Sequence, residues 1–74
     1  MKDVSIRTDY ITLGQLLKLA DFAATGGEAK HMLLEGRVRV NGETETRRGR
    51  KIRPGDTVEA EGRGALRVTR ARED

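Results

Sequence analysis

The apolar positions of this chain keep one period from Ile11 to Gly36 and another beyond it. In ITLGQLLKLADFA, Leu13, Leu16, Leu17 and Ala20 recur at helical spacing while Gln15, Lys18 and Asp21 fall elsewhere, which predicts an amphipathic helix over about 13–21. Thr12 stands in front as a cap, Gln15 is three residues on to reach back, and Ile11 is placed to staple onto Leu16. A second helix opens at Thr25, with Glu28 completing another capping box, and runs through GGEAKHMLLE until Gly36 supplies a left-handed exit. Its inner face is Ala29, Met32 and Leu33, with Lys30 on another side. Neither helix is long enough to stand alone, so both must pack against something.

From Arg37 the period is two. In RVRV, Val38 and Val40 share one face and Arg37 and Arg39 the other, so a half-buried strand presents two arginines outward. Asn41-Gly42 is a tight-turn pair, and Pro54-Gly55-Asp56 is a second turn, with proline at the first central position and glycine at the next. Val58 and Ala60 alternate with Thr57, Glu59 and Glu61 in a further strand. After the turn EGRG, Leu66 and Val68 alternate with Arg67 and Thr69 in a last one. Val4 and Ile6, flanked by Ser5 and Arg7, suggest an N-terminal strand able to pair with it, and the tail from about residue 71 is expected to fray.

Seventy-four residues are expected to form a single domain spanning 1–74, close to the size at which one core needs help to be stable. Fifteen Leu, Ile and Val residues, with Phe22, Tyr10 and Met32, suffice for a modest core rather than a disordered tail. With no cysteine there are neither disulfides nor thiolate metal sites, which fits a cytoplasmic chain, and one histidine alone makes no zinc site. No apolar run is long enough for a signal peptide or a membrane span, and no cofactor is expected.

Charge is concentrated. The net value is +3, yet residues 37–53 hold seven basic side chains (Arg37, Arg39, Arg47, Arg48, Arg50, Lys51 and Arg53) against Glu43 and Glu45, a local +5. The rest of the chain is −2 by difference. Arginine outnumbers lysine eleven to four. A GC-rich coding sequence or a heat-adapted host would account for that ratio, but not for the clustering; guanidinium is also the better fork for phosphate oxygens.

Catalysis finds little support. His31 reads as a solvated or structural residue of an amphipathic helix, Asp56 as part of a turn, Glu28 as a cap, and Glu59 and Glu61 as the outer face of a strand. The glycines read as turns and caps, since none forms a phosphate loop with the required lysine and hydroxyl. A polyanion, in contrast, needs several cations projecting from a fixed framework, and the segment 37–53 has them. DNA fits the charge as well. With only Tyr10 and Phe22 aromatic, stacking platforms for single strands are missing, so recognition leans on backbone contacts and shape, which favours structured RNA.

These residues also carry a likeness. The run TGGEAKHMLLEGRVRVNGETETRRGRKIRPGDTVE, with Ala29-Lys30, then Gly36-x-Val38-x-Val40-Asn41-Gly42, then Gly55-Asp56, resembles the RNA-binding domain named after ribosomal small-subunit protein S-four, the alpha-L motif. With ITLGQLLKLADF ahead, the whole chain is similar to the small stand-alone bacterial branch of that family typified by the YbcJ and YaaA proteins. The resemblance implies an α+β fold, two short packed helices followed by a small antiparallel β-sheet. It also implies RNA binding through the second helix and the following hairpin. Lys30 would be the helix cation, Arg37 and Arg39 the outward strand positions, and Arg47, Arg48, Arg50 and Lys51 the basic edge.

One departure stands out. Larger members carry Ser-Arg where this chain has Thr25-Gly26-Gly27, so the cap is kept and an arginine contact is lost. The glycines would let backbone amides approach a phosphate, or simply ease the start of the helix, which is the preferred reading. The expected function is non-enzymatic binding of structured RNA, ribosomal or transfer, with the ribosome or its assembly particles as partners. The competing expectation is an adaptor whose basic face docks an acidic protein.

Overall fold

Alternation in the second half of the chain becomes a sheet, and the two helices cover one of its faces. The computed structural model describes residues 1–72. In chain order its elements are β1 (Lys2–Ile6), β2 (Ile11–Thr12), α1 (Leu13–Leu19), α2 (Gly26–Leu34), β3 (Val38–Val40), β4 (Glu43–Thr44), β5 (Lys51–Ile52), β6 (Thr57–Ala60) and β7 (Gly64–Arg70). The fold is α+β, as the resemblance implies. The main sheet has the order β1-β7-β6-β3-β4. Its β7-β6-β3-β4 part is antiparallel, and β1 joins β7 in parallel, Val4 opposite Val68, which makes the whole sheet mixed.

One face of this sheet is apolar because the period-two residues all land on it. Val4, Ile6, Val38, Val40, Val58, Ala60, Leu66 and Val68 are buried there, together with Leu13, Leu16, Leu17 and Ala20 from the α1 region and Ala29, Met32 and Leu33 from α2. Each fully buried leucine contributes about 1.5–3 kcal/mol, which is what holds two helices too short to persist alone.

Both turns of the basic half form as their residues dictate. Asn41 (φ 51°) and Gly42 (φ 86°) are both left-handed and join β3 to β4, with Val40 opposite Glu43, so the connection is a type I′ hairpin. Gly55 (φ 98°) follows Pro54, and the Asp56 amide closes the turn on the Arg53 carbonyl at 3.0 Å. The two turns are tied to each other. Asn41 Nδ2 donates to Asp56 Oδ1 at 3.1 Å, the Thr57 amide donates to Asn41 Oδ1 at 2.9 Å, and the Arg53 amide donates to Asp56 Oδ2 at 2.8 Å.

The ends of the helices show where local and tertiary forces divide. α2 begins and ends by local chemistry: the Glu28 amide donates to Thr25 Oγ1 (3.1 Å), and Gly36 (φ 73°) leaves through paired bonds from Gly36 N to Leu33 O and Arg37 N to Met32 O. The Glu28 carboxylate, expected to complete the capping box, binds Arg63 instead, at 3.1 Å. α1 stops at Leu19, short of the expected 21, because Asp21 takes the left-handed conformation (φ 61°) and the Phe22 amide turns back to the Leu17 carbonyl at 2.9 Å. Lys2 Nζ donates to the Ala20 carbonyl at 2.9 Å, a cation at a helix C-terminus. At the other end of α1, Thr12 does not cap. Its hydroxyl donates to Gln15 Oε1 (2.9 Å), and the free amides of the first turn find acceptors elsewhere in the chain. In the tail, the Ala71 amide still donates to the Ile6 carbonyl (2.8 Å), and Glu73 and Asp74 lie outside the described residues.

Candidate nucleic-acid interface

The acceptors that α1 lacks locally come from the arginine-rich loop. The Leu13 amide donates to the Arg50 carbonyl at 2.8 Å and the Gly14 amide to the Arg48 carbonyl at 3.0 Å. The loop packs closely on Gly14, where a Cβ would make ordinary contact with Arg48 Cβ at 3.5 Å. Beside these bonds, β2 and β5 form a two-residue antiparallel ladder, Ile11 opposite Ile52 and Thr12 opposite Lys51. Ile52 is wholly buried, so the loop is pinned to the core in the middle of its charged run. A segment that would otherwise be a solvated coil is thus fixed by three kinds of contact.

Glu45 organises the loop from inside. It is 8% exposed, the single buried charged side chain among the described residues. Its Oε2 accepts from the Thr46 amide (2.9 Å), the Arg47 amide (3.2 Å) and Arg47 Nε (3.3 Å), and its Oε1 accepts from Arg47 (3.1 Å) and Arg50 (3.0 Å). The hydrogen bond from the Arg47 side chain is the main reason its pKa falls from 4.5 to about 2; burial opposes this, and Arg50 and the two amides add to it. In return the carboxylate raises the Arg47 guanidinium pKa, through that hydrogen bond first and its charge second. Sequence reasoning counted Glu45 only as an acid diluting the basic run. The local pattern holds no sign that it turns inward.

The fold divides the expected basic residues into two groups. Arg47, Arg48, Arg50, Lys51 and Arg53 stand together on the loop. Across from Arg48 and Gly49, a groove of about 330 Å³ is lined by Gly14, Gln15 and Lys18 of α1 and by Gly26 and Ala29 of α2. Lys30 is exposed one turn along α2 from Gly26, on the same side of the helix, and therefore extends this surface. Lys18 is a groove cation that periodicity placed only off the apolar face of α1. A Cβ at Gly26 would meet nothing within 4 Å, so no steric demand requires glycine there, and the groove is open at this point.

Arg37 and Arg39 are the second group, and they lie elsewhere. Val38 and Val40 face the helices, so Arg39 projects from the opposite face of the sheet, with Thr44 and Glu59 as its cross-strand neighbours. Arg37 is 3.5 Å from both Glu35 Oε1 and the Glu61 carbonyl. Both arginines line a second groove with Glu59 and Glu61, where opposite charges offset each other. The cluster of seven in the sequence therefore becomes one basic loop and one electrically balanced pair.

Two aromatic side chains have separate fates. Phe22 is buried, whereas Tyr10 is 41% exposed. Lys51 Nζ lies 5.0 Å from the Tyr10 ring centroid and the Arg53 guanidinium carbon 5.9 Å, so the ring is part of the loop's charged surface. His31 stands in solvent 3.3 Å from Glu35, and both Asp56 oxygens are engaged in the turns. Among the described residues no three His, Cys, Asp or Glu side chains gather as metal ligands, and no helix is long and apolar enough to cross a membrane.

Comparison with known proteins agrees with this architecture. The model of the S4 domain matches residues 4–69. The "Probable ribosome maturation protein RlbA" of Bacillus subtilis (strain 168) is 55% identical over 65 residues, covering 88% of this chain and 92% of that protein. The "Putative RNA-binding protein YbcJ" of Escherichia coli (strain K12) is 43% identical over 49 residues, 66% of this chain and 70% of its own length.

Proposed function

Because this chain belongs to the S4 domain family, we propose that it is a non-catalytic RNA-binding module of the cytoplasm that holds structured RNA against the arginine loop and the facing ends of α1 and α2. The observation that carries this reading is the fixing of the loop: Arg47, Arg48, Arg50, Lys51 and Arg53 project from a backbone bonded to α1 through Leu13 and Gly14. Binding a phosphate backbone costs least when the cations are already placed, since less side-chain and loop entropy is lost on association. Lys18 and Lys30 extend the surface, whereas Arg37 and Arg39, beside Glu59 and Glu61, lie outside it.

A relative named for ribosome maturation and another named for RNA binding support ribosomal RNA, within an assembling particle, over transfer RNA. The test is affinity for folded ribosomal RNA fragments at several salt concentrations. Log affinity should fall linearly with log salt, by about 0.7–0.9 per phosphate neutralised. Changing Arg47, Arg48 and Arg50 to Ala, with Glu45→Gln so that no buried carboxylate is orphaned, should keep the fold by circular dichroism and weaken binding. Unchanged affinity at moderate salt in that variant would refute the surface. A cellular partner that stays bound after nuclease treatment would favour an adaptor instead.

A further inference from the structure

Next to the arginine loop, an open groove of about 1110 Å³ runs along Arg7, Thr8, Asp9, Tyr10 and Ile11 to Gln15, Lys18 and Leu19 of α1. We propose that this groove seats a single unpaired RNA nucleotide, its base stacked on Tyr10, beside a helical stem gripped by the loop. The inference rests on RNA being the ligand and names the kind of RNA: a stem with a bulged or flipped-out base, not an uninterrupted duplex.

Three observations converge on that occupant. The first is the ring itself. Tyr10 is the exposed aromatic of the described residues, and Leu19, 58% exposed, lines the same groove, so an apolar surface lies open to solvent where burial of a flat apolar body would be favourable. The second is charge. Arg7 and Lys18 line the groove, and Lys51 and Arg53 lie over the ring. The one acidic side chain in the lining, Asp9, is paired with Arg70 at 3.1 Å. An apolar patch rimmed by cations suits a base with its phosphate better than an apolar peptide.

The third observation is the polar edge. Gln15 accepts from the Thr12 hydroxyl on its Oε1, which fixes the amide and leaves its nitrogen two donors, with no acceptor among the described residues, for a base edge. Lys51 and Arg53, on either side of the buried Ile52, both approach the same ring. The loop that grips phosphate and the ring that stacks a base are thus one surface. With a single ring present, the site suits one base, whereas single-strand binders stack successive bases.

The chain contains one tyrosine and no tryptophan, so its intrinsic emission reports on Tyr10 alone. Two RNA hairpins, identical except for one unpaired adenosine in the stem of the second, provide the test at fixed salt and matched absorbance. The wild-type protein should bind the bulged stem about 5- to 150-fold more tightly, the range carried by stacking one base on an aromatic side chain. Its tyrosine emission should be quenched further by the bulged stem than by the paired one. Tyr10→Ala should bring the affinities for the two stems together, whatever it does to the affinity for the paired one through Lys51 and Arg53, and Tyr10→Phe, which retains the ring, should keep the preference. Equal affinity of wild type for both stems, or a preference that survives in Tyr10→Ala, overturns the proposal and leaves the RNA reading standing. Failure to bind either stem overturns both.

Discussion

Arg50 holds Leu13 with its carbonyl oxygen (2.8 Å) and Glu45 with its guanidinium (3.0 Å), so one arginine joins the first turn of α1 to the buried carboxylate that shapes the loop. Its backbone and side chain serve different partners, and both help to hold the loop.

Glu45→Gln therefore separates geometry from charge. The substitution makes the protein more basic by one unit, which on electrostatics alone should strengthen binding to RNA. Because the neutral amide cannot accept from Arg47 and Arg50 as a carboxylate does, the variant should instead bind several-fold more weakly and lose about 1–2 kcal/mol of stability. Titration by fluorescence anisotropy at fixed salt, with urea denaturation alongside, measures both. Tighter binding would show that positioning of the arginines is unimportant.

Acid should act through the same residue. The folded-state pKa of Glu45, about 2, lies below its ordinary 4.5, so its contribution to stability is complete above pH 4.5 and is lost as pH falls through about 2. Denaturation midpoints of wild type and Glu45→Gln should differ by a constant amount from pH 5 to 7 and converge between pH 4.5 and 2. A difference that persists unchanged to pH 2 would contradict the ion pairs described.

Asp21 offers a gain. It holds a left-handed conformation (φ 61°) at the exit of α1, where glycine meets no Cβ penalty. Asp21→Gly should stabilise by about 0.5–1 kcal/mol, which for a domain of this size raises Tm by roughly 2–8 °C. Asp21→Ala should do the opposite. Differential scanning calorimetry of the three proteins decides the matter.

Arg48 and Arg39 form a matched comparison, both exposed arginines within the same basic run. Arg48 faces the groove between the helices, while Arg39 faces Glu59 across the sheet. Arg48→Ala should lower RNA affinity and reduce the slope of log affinity against log salt by about one phosphate's worth, 0.7–0.9. Arg39→Ala should leave both close to wild type. Equal losses would mean that the two faces of the sheet bind together.

Elements with a period long enough to repeat were legible before the structure. The valines of β3, the Asn41-Gly42 and Pro54-Gly55 turns and the local caps of α2 all follow from residues within a few positions of one another. What stayed hidden depends on residues far apart in sequence. The α1 amides are met by carbonyls about thirty-five residues downstream, so Thr12 looked like a cap in a place where none was needed. β2 and β5, at two residues each, are too short for alternation to show. Glu45 has the same local neighbours whether it points in or out. Tyr10 was dismissed for want of other aromatic residues, and its value comes from Lys51 and Arg53, which only the fold brings near.

The parallel pairing of β1 with β7 has a consequence in time. Lys2 is matched to Leu66, so β1, once made, waits for a strand about sixty-four residues downstream. At about 5–20 residues per second that wait is roughly 3–13 s. Throughout it Val4 and Ile6 belong to a strand without its β7 neighbour, and the finished sheet is reached only once β7 has been made. For this chain, completion of the fold is paced by translation rather than by the speed of its helices.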